Sequence, residues 1–241
     1  MRTPLIRIVT AVAIIAAPVA AQHAGPSAEA VLQELKAGND HHVAKRYQHP
    51  HQSAARQREL TGGQSPHAVI LSCADSRVAP EIILDQGLGD LFDVRVAGNV
   101  AGDAELASIE YAAEHLHTPL LVVMGHQKCG AVTAAAEPGE LGGHMPGLIA
   151  MILPAIASAK GRPGNLIDNA VRINVENVVA QIRTSKPLLQ HLVEHGDFTV
   201  VGAIYSLDTG KVSWLPQSAG KPSANVAAGP GDGCRILAEA R

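Results

Sequence analysis

The sequence predicts an α/β fold: a central, mainly parallel β-sheet flanked by helices, with an N-terminal helical arm. Three observations predict it. Short, nearly continuous apolar runs at residues 67–72 and 120–124 read as strands buried on both faces. These runs alternate with stretches of helical periodicity, an order that calls for parallel pairing and right-handed crossovers. Hydrophobic residues make up 46% of the 241 positions, enough for a core, which excludes global disorder.

The elements follow in order. Residues 1–21 read as a secretory signal peptide: Arg2 and Arg7 supply the positive start, residues 8–17 the apolar stretch, and Pro18, Val19, Ala20 and Ala21 the small-residue cleavage region. The apolar run is short for a membrane anchor. Export to the periplasm or medium with cleavage near Ala21 is therefore expected, and no membrane association afterwards. Ser27 caps a helix that carries Val31, Leu32 and Leu35 on one face and closes near Gly38. A polar, His-rich stretch at 39–66 holds a short helix at about 53–60.

The first strand at 67–72 is followed by a helix at 80–86 and a second strand at 91–96. Asp103 caps a helix through His117, with Leu106, Ile109, Ala113 and Leu116 on one face. A third strand at 120–124 leads to helices around 130–136, 147–160, 166–184 and 187–195. A fourth strand at 198–205 returns through Asp208, Thr209 and Gly210 to a hairpin partner at 211–215. Residues 217–241, rich in Gly, Ala, Pro and Ser, read as a flexible tail beyond a domain at 22–216.

Composition narrows the function. Two Phe, one Trp and three Tyr offer no stacking platform for single strands, and a formal charge of −3 gives no footprint for a nucleic-acid backbone. Three cysteines are too few for a disulfide scaffold, whereas twelve histidines are many. Those that crowd the N-terminal third (His23, His41, His42, His49, His51, His67) read as solvated surface groups. His41 and His42 are candidates for moving protons, and His144 for flanking the crevice.

Catalytic groups in parallel sheets collect at the carboxyl ends of strands. Cys73 directly follows the first strand and His126 follows the third by two residues, so both point into one crevice although 53 residues apart. With Cys129 they supply two thiolates and one imidazole, a donor set that selects zinc over calcium or magnesium. Three protein ligands leave the fourth tetrahedral position for water, as in a catalytic site. Asp75 faces that position, and Arg77 grips its carboxylate bidentately. Asp75 as a fourth ligand, closing the site, is the alternative. Zinc should also keep Cys73 and Cys129 from pairing in an oxidising compartment. Cys234, in the tail, is not expected to be a ligand.

Cys73-x-Asp75-x-Arg77 with a later His126-x-x-Cys129, followed by Gly130, resembles the β-class carbonic anhydrases. The similarity runs over roughly residues 30–215 and includes Leu35-Lys-Ala-Gly-Asn39, Leu91-Phe92, Arg95, Gly98-Asn99 and Ile109-Glu110-Tyr111. The resemblance implies reversible hydration of CO₂ to bicarbonate and a proton through water that zinc deprotonates. It implies Zn²⁺ on Cys73, His126 and Cys129, with Asp75 and Arg77 as the catalytic dyad. It also implies a homodimer or homotetramer swapped through N-terminal helices. Gln64, Phe92 and Tyr111 match the CO₂ pocket of the open-site branch, with Gly130 beside it. Ile70 stands where the bicarbonate-gated branch has Trp, and Val96 where Asn often follows Arg95. Two thiolates put more negative charge on zinc than three histidines do, so activity is expected to climb as pH rises above neutrality. A hydrolase of carbonyl sulfide or carbon disulfide is the alternative enzyme, and a non-catalytic zinc protein the alternative class.

Overall fold

The computed structural model describes residues 25–137 and 139–216. The signal segment, His23, the tail and Cys234 lie outside the described residues. Five strands, β1 (Ala68–Ser72), β2 (Leu91–Arg95), β3 (Leu120–His126), β4 (Thr199–Tyr205) and β5 (Val212–Trp214), form one sheet in the order β2-β1-β3-β4-β5. The first four are parallel, and β5 returns antiparallel on β4. The described residues form eight α-helices: α1 (Ala28–Ala44), α2 (Ala54–Glu59), α3 (Pro80–Ile83), α4 (Asp103–Glu114), α5 (Gly130–Ala136), α6 (Met145–Ala159), α7 (Leu166–Arg183) and α8 (Leu188–His195). None of the described helices is long and apolar enough to cross a membrane.

The core is layered as the continuous apolar runs require. Every residue of β1 and of β3 is buried, because helices lie on both sheet faces. On one face Val31, Leu32 and Leu35 of α1 pack with Ile70, Leu120, Val122 and Met124. On the other, Ile109 of α4, Val175 and Val178 of α7 and Leu189 of α8 pack with Val69, Leu71 and Val123. The helix expected as an arm thus lies on its own chain's sheet.

That helix does not close near Gly38 but runs on to Ala44, where Lys45 takes a left-handed φ of 56° and caps it. Gly38 serves a different need. A Cβ there would lie 1.8 Å from the Leu84 carbonyl oxygen, so glycine lets α1 approach the end of α3. Gly38→Ala should cost about 3 kcal/mol through forced separation of the two, read as a lowered denaturation midpoint. An unchanged midpoint would show that the approach is not needed.

Three boundaries move for local reasons. The helix expected at 80–86 stops at Ile83, because Asp85 adopts a φ of 48° and turns the chain. Gly102, not Asp103, precedes α4, and the Glu105 carboxylate accepts its N–H at 3.0 Å. β3 continues two residues past Met124, because Gly125 and His126 still pair with Ile204 and Tyr205 of the longer β4. His126 therefore ends the strand itself instead of lying in the loop beyond it.

Three of the N-terminal histidines, His41, His42 and His51, have side-chain partners within the fold. His42 is buried, its Nε2 3.3 Å from the Tyr205 hydroxyl and its Nδ1 2.9 Å from that of Tyr47. Burial and the nearby Lys45 charge hold its pKa below the usual value. His41 and His51 bind the buried carboxylates of Asp85 and Asp90 at 3.1 and 2.7 Å. Imidazoles here partner acids that the fold has removed from water.

Candidate metal centre

The centre forms where β1 and β3 end side by side. Ser72 is in register with Met124, so Cys73 leaves β1 next to the last turns of β3. His126 completes β3, and Cys129 is the residue on which α5 begins. Lys128, between them, takes a left-handed φ of 54°, and this turn swings Cys129 back toward His126. Cys73, His126 and Cys129 are all buried, and their donor atoms lie within 4.8 Å of one another.

The donor set fits a tetrahedral zinc ion. The two sulfurs are 3.9 Å apart, and two Zn–S bonds at the tetrahedral angle would place them about 3.8 Å apart. Both cysteines are free thiols. His126 Nδ1–H donates to the Gln127 carbonyl at 2.8 Å, which fixes the tautomer and leaves Nε2 as the lone-pair donor. That Nε2 is buried without a hydrogen-bond partner, a cost that a metal ion would remove.

The thiols titrate as a pair. The hydrogen bond from Cys129 draws Cys73 down to about 4 against the opposing effect of burial, with His126 and the N–H groups of Gly98 and Asp75 helping. The same shared bond, with burial, pushes Cys129 up. The Gly98 N–H donates to Cys73 Sγ at 3.3 Å. Gly98 reaches that position with a φ of 72°, and Asn174 of α7 holds its carbonyl at 2.8 Å.

Asp75 stands beside the triad, its Oδ2 3.8 Å from His126 Nε2. Arg77 holds both carboxylate oxygens: Nε donates to Oδ1 at 2.9 Å and Nη2 to Oδ2 at 2.6 Å. The Arg77 hydrogen bonds keep the Asp75 carboxyl well below the usual carboxylate range, against a smaller effect of burial. The acid is thus ionised, and Arg77 orients it. Arg95 of β2 fastens the same loop, with Nε reaching the Cys73 carbonyl at 3.4 Å and Nη2 that of Asp75 at 2.9 Å. Sequence reasoning missed this clamp and the Asn174 support, because contacts 20 to 76 residues apart leave no local signal.

The expected substrate residues divide. Gly130 follows Cys129 directly, and a Cβ on it would meet nothing within 4 Å, so the approach on that side is open. Phe92 is in register with Val69, four residues before Cys73, which puts it roughly 13 Å back along the sheet. Tyr111 of α4 lies against it, ring centroids 6.2 Å apart, with its side chain exposed. Gln64 lies in the segment entering the amino end of β1. One chain therefore gathers Cys73, His126, Cys129, Asp75, Arg77 and Gly130, but does not bring Gln64, Phe92 and Tyr111 to them.

Known proteins share this frame. A family model described as carbonic anhydrase matches residues 68–212. Carbonic anhydrase 2 of Mycobacterium tuberculosis is 42% identical over 186 residues, covering 76% of this chain and 90% of that protein. A carbonic anhydrase of Mycolicibacterium smegmatis is 40% identical over 187 residues, covering 76% and 91%. Among solved structures, a β-carbonic anhydrase of Coccomyxa superposes with a TM-score of 0.62 at 26% identity, over 79% of this chain and 87% of that one. Tetrameric β-carbonic anhydrases of Sordaria macrospora show the same fold, with a TM-score of 0.62 at 24% identity over 78% of this chain and 98% of that one.

Proposed function

Since the chain belongs to the β-class of the carbonic anhydrase family, we propose that it interconverts CO₂ and bicarbonate with a zinc ion held by Cys73, His126 and Cys129. The observation that carries the zinc assignment is the buried, otherwise unbonded His126 Nε2 facing two sulfurs at tetrahedral spacing. When bound, zinc supplies the Lewis acidity that makes water a nucleophile near neutral pH.

The chain's own groups do the rest. The Gln127 carbonyl and the Gly98 N–H orient the imidazole and one thiolate. Asp75, kept ionised by Arg77, accepts the hydrogen bond of the attacking water and so aims its lone pair at the substrate carbon. Arg77 holds both oxygens of that carboxylate, which would keep it from serving as a ligand when zinc is bound. Arg95 fixes the loop carrying both Cys73 and Asp75, so ligand and carboxylate keep one spacing. The open side at Gly130 admits CO₂ and releases bicarbonate.

Gln64, Phe92 and Tyr111 serve the pocket, in this reading, from a second copy. Phe92 lies on the edge strand β2 and Tyr111 is exposed, so a dimer or tetramer can bring them to a neighbour's Gly130. Stopped-flow CO₂ hydration with zinc analysis tests the main reading. One zinc per chain with rapid hydration is expected, and full zinc without hydration would overturn it. Hydration per chain should fall as dilution dissociates the assembly; activity that persists in isolated chains would refute the shared pocket. The signal segment supports a periplasmic or secreted site of action, tested by recovering mature protein beginning near Gln22 from that fraction.

A further inference from the structure

Asp93 is the middle residue of the edge strand β2, two residues before Arg95. Residues two apart on a strand share a face, so its carboxyl lies alongside the guanidinium that clamps the loop at 73–75. Asp93 Oδ1 is shut off from water and has no hydrogen-bond partner. The carboxyl of Glu81, on α3, faces it within hydrogen-bonding reach. Two carboxylates cannot bond each other, since both only accept; one proton between them supplies the donor.

We propose that Asp93 and Glu81 share one proton beside Arg95 and thereby set how firmly Arg95 holds the loop that carries Cys73 and Asp75, which makes Asp93 a positioning residue. The role in the reaction rests on the carbonic anhydrase reading; the shared proton does not. The charged groups acting on Asp93 are Glu81 from α3 and Arg95 from its own strand, while β1 faces it with Ile70. Burial first, then the Glu81 charge and hydrogen bond, raise the Asp93 carboxyl to about 7, against the pull of Arg95. Below neutrality the pair bears one negative charge, and the guanidinium is free for the two loop carbonyls. Above it, a second negative charge forms beside Arg95 and competes for it, loosening the loop.

Asp93→Asn tests this, because the amide donates to Glu81 permanently and cannot ionise. The ratio of variant to wild-type kcat/KM should be near one at about pH 6 and rise several-fold by about pH 8.5, with its midpoint near 7. Glu81→Gln should lower that midpoint by removing the neighbouring charge. Stability gives a readout apart from activity. A carboxyl whose folded pKa is raised binds an extra proton in the native state, so wild-type stability falls as pH climbs from the unfolded value, about 3.9, toward 7. Asp93→Asn should therefore match the wild-type Tm at about pH 4 and exceed it by several degrees at about pH 8.5. A flat kcat/KM ratio overturns the positioning role, and a Tm difference independent of pH overturns the shared proton. Wild type without hydration, but with the pH-dependent Tm difference, would overturn the carbonic anhydrase reading and leave the acid pair standing.

Discussion

Serine in place of Cys73 or Cys129 is expected to strip the protein of zinc and lower CO₂ hydration by roughly a thousandfold or more. The exchange swaps a soft thiolate for a hydroxyl that stays protonated at neutral pH and binds zinc poorly. Both sulfurs sit in the hydrophobic cluster with Val100, Val132, Ile149 and Ile152, so serine also buries a more polar hydroxyl in place of the thiol. Metal analysis after purification in limiting zinc, with stopped-flow hydration on the same sample, reads the effect. Because zinc binds the folded state, the wild type should lose thermal stability on chelation, and the serine variants should lose almost none. Stoichiometric zinc in either variant, with activity near wild type, would refute the ligand assignment.

Asp75→Asn is expected to leave zinc bound but lower kcat/KM by roughly a hundredfold to a thousandfold. Asparagine keeps the shape but loses the charge and one acceptor. Arg77, which now donates to both oxygens, would face an NH₂ group on one of them. A surface ion pair of this kind contributes about 0–1 kcal/mol to stability, so a merely structural role predicts a nearly unchanged rate. The split between retained zinc and lost rate separates the two roles, and a rate within threefold of wild type would dismiss Asp75 from the chemistry. Zinc lost along with the rate would instead make Asp75 a ligand and the site a closed one.

Much of this centre was legible in the sequence. His126 and Cys129 lie three residues apart, so a single turn after a strand delivers both. Cys73, Asp75 and Arg77 alternate along one short segment, close enough for the carboxylate and guanidinium to meet without help from the fold. The continuous apolar runs of β1 and β3, short and alternating with helical stretches, announced strands covered on both faces. Helix ends were less legible. Gly38 reads as a terminator by type, yet its role is set by a carbonyl 46 residues away.

The sequence by itself determined the kinds of donor, their local spacing and the alternation of strand and helix, because these depend on residues within a few positions of each other. The sequence also placed Cys73 and His126 at one crevice, but only the tertiary structure decided the register in which the strand ends meet. The register of β1 on β3 brings Cys73 to His126, and that of β1 on β2 brings Arg95 to the loop carbonyls. The same register carries Phe92 away from the metal ligands. Parallel strands are joined through long crossovers, so their alignment follows from packing whole helices onto both faces of the sheet, and no short window of sequence encodes it.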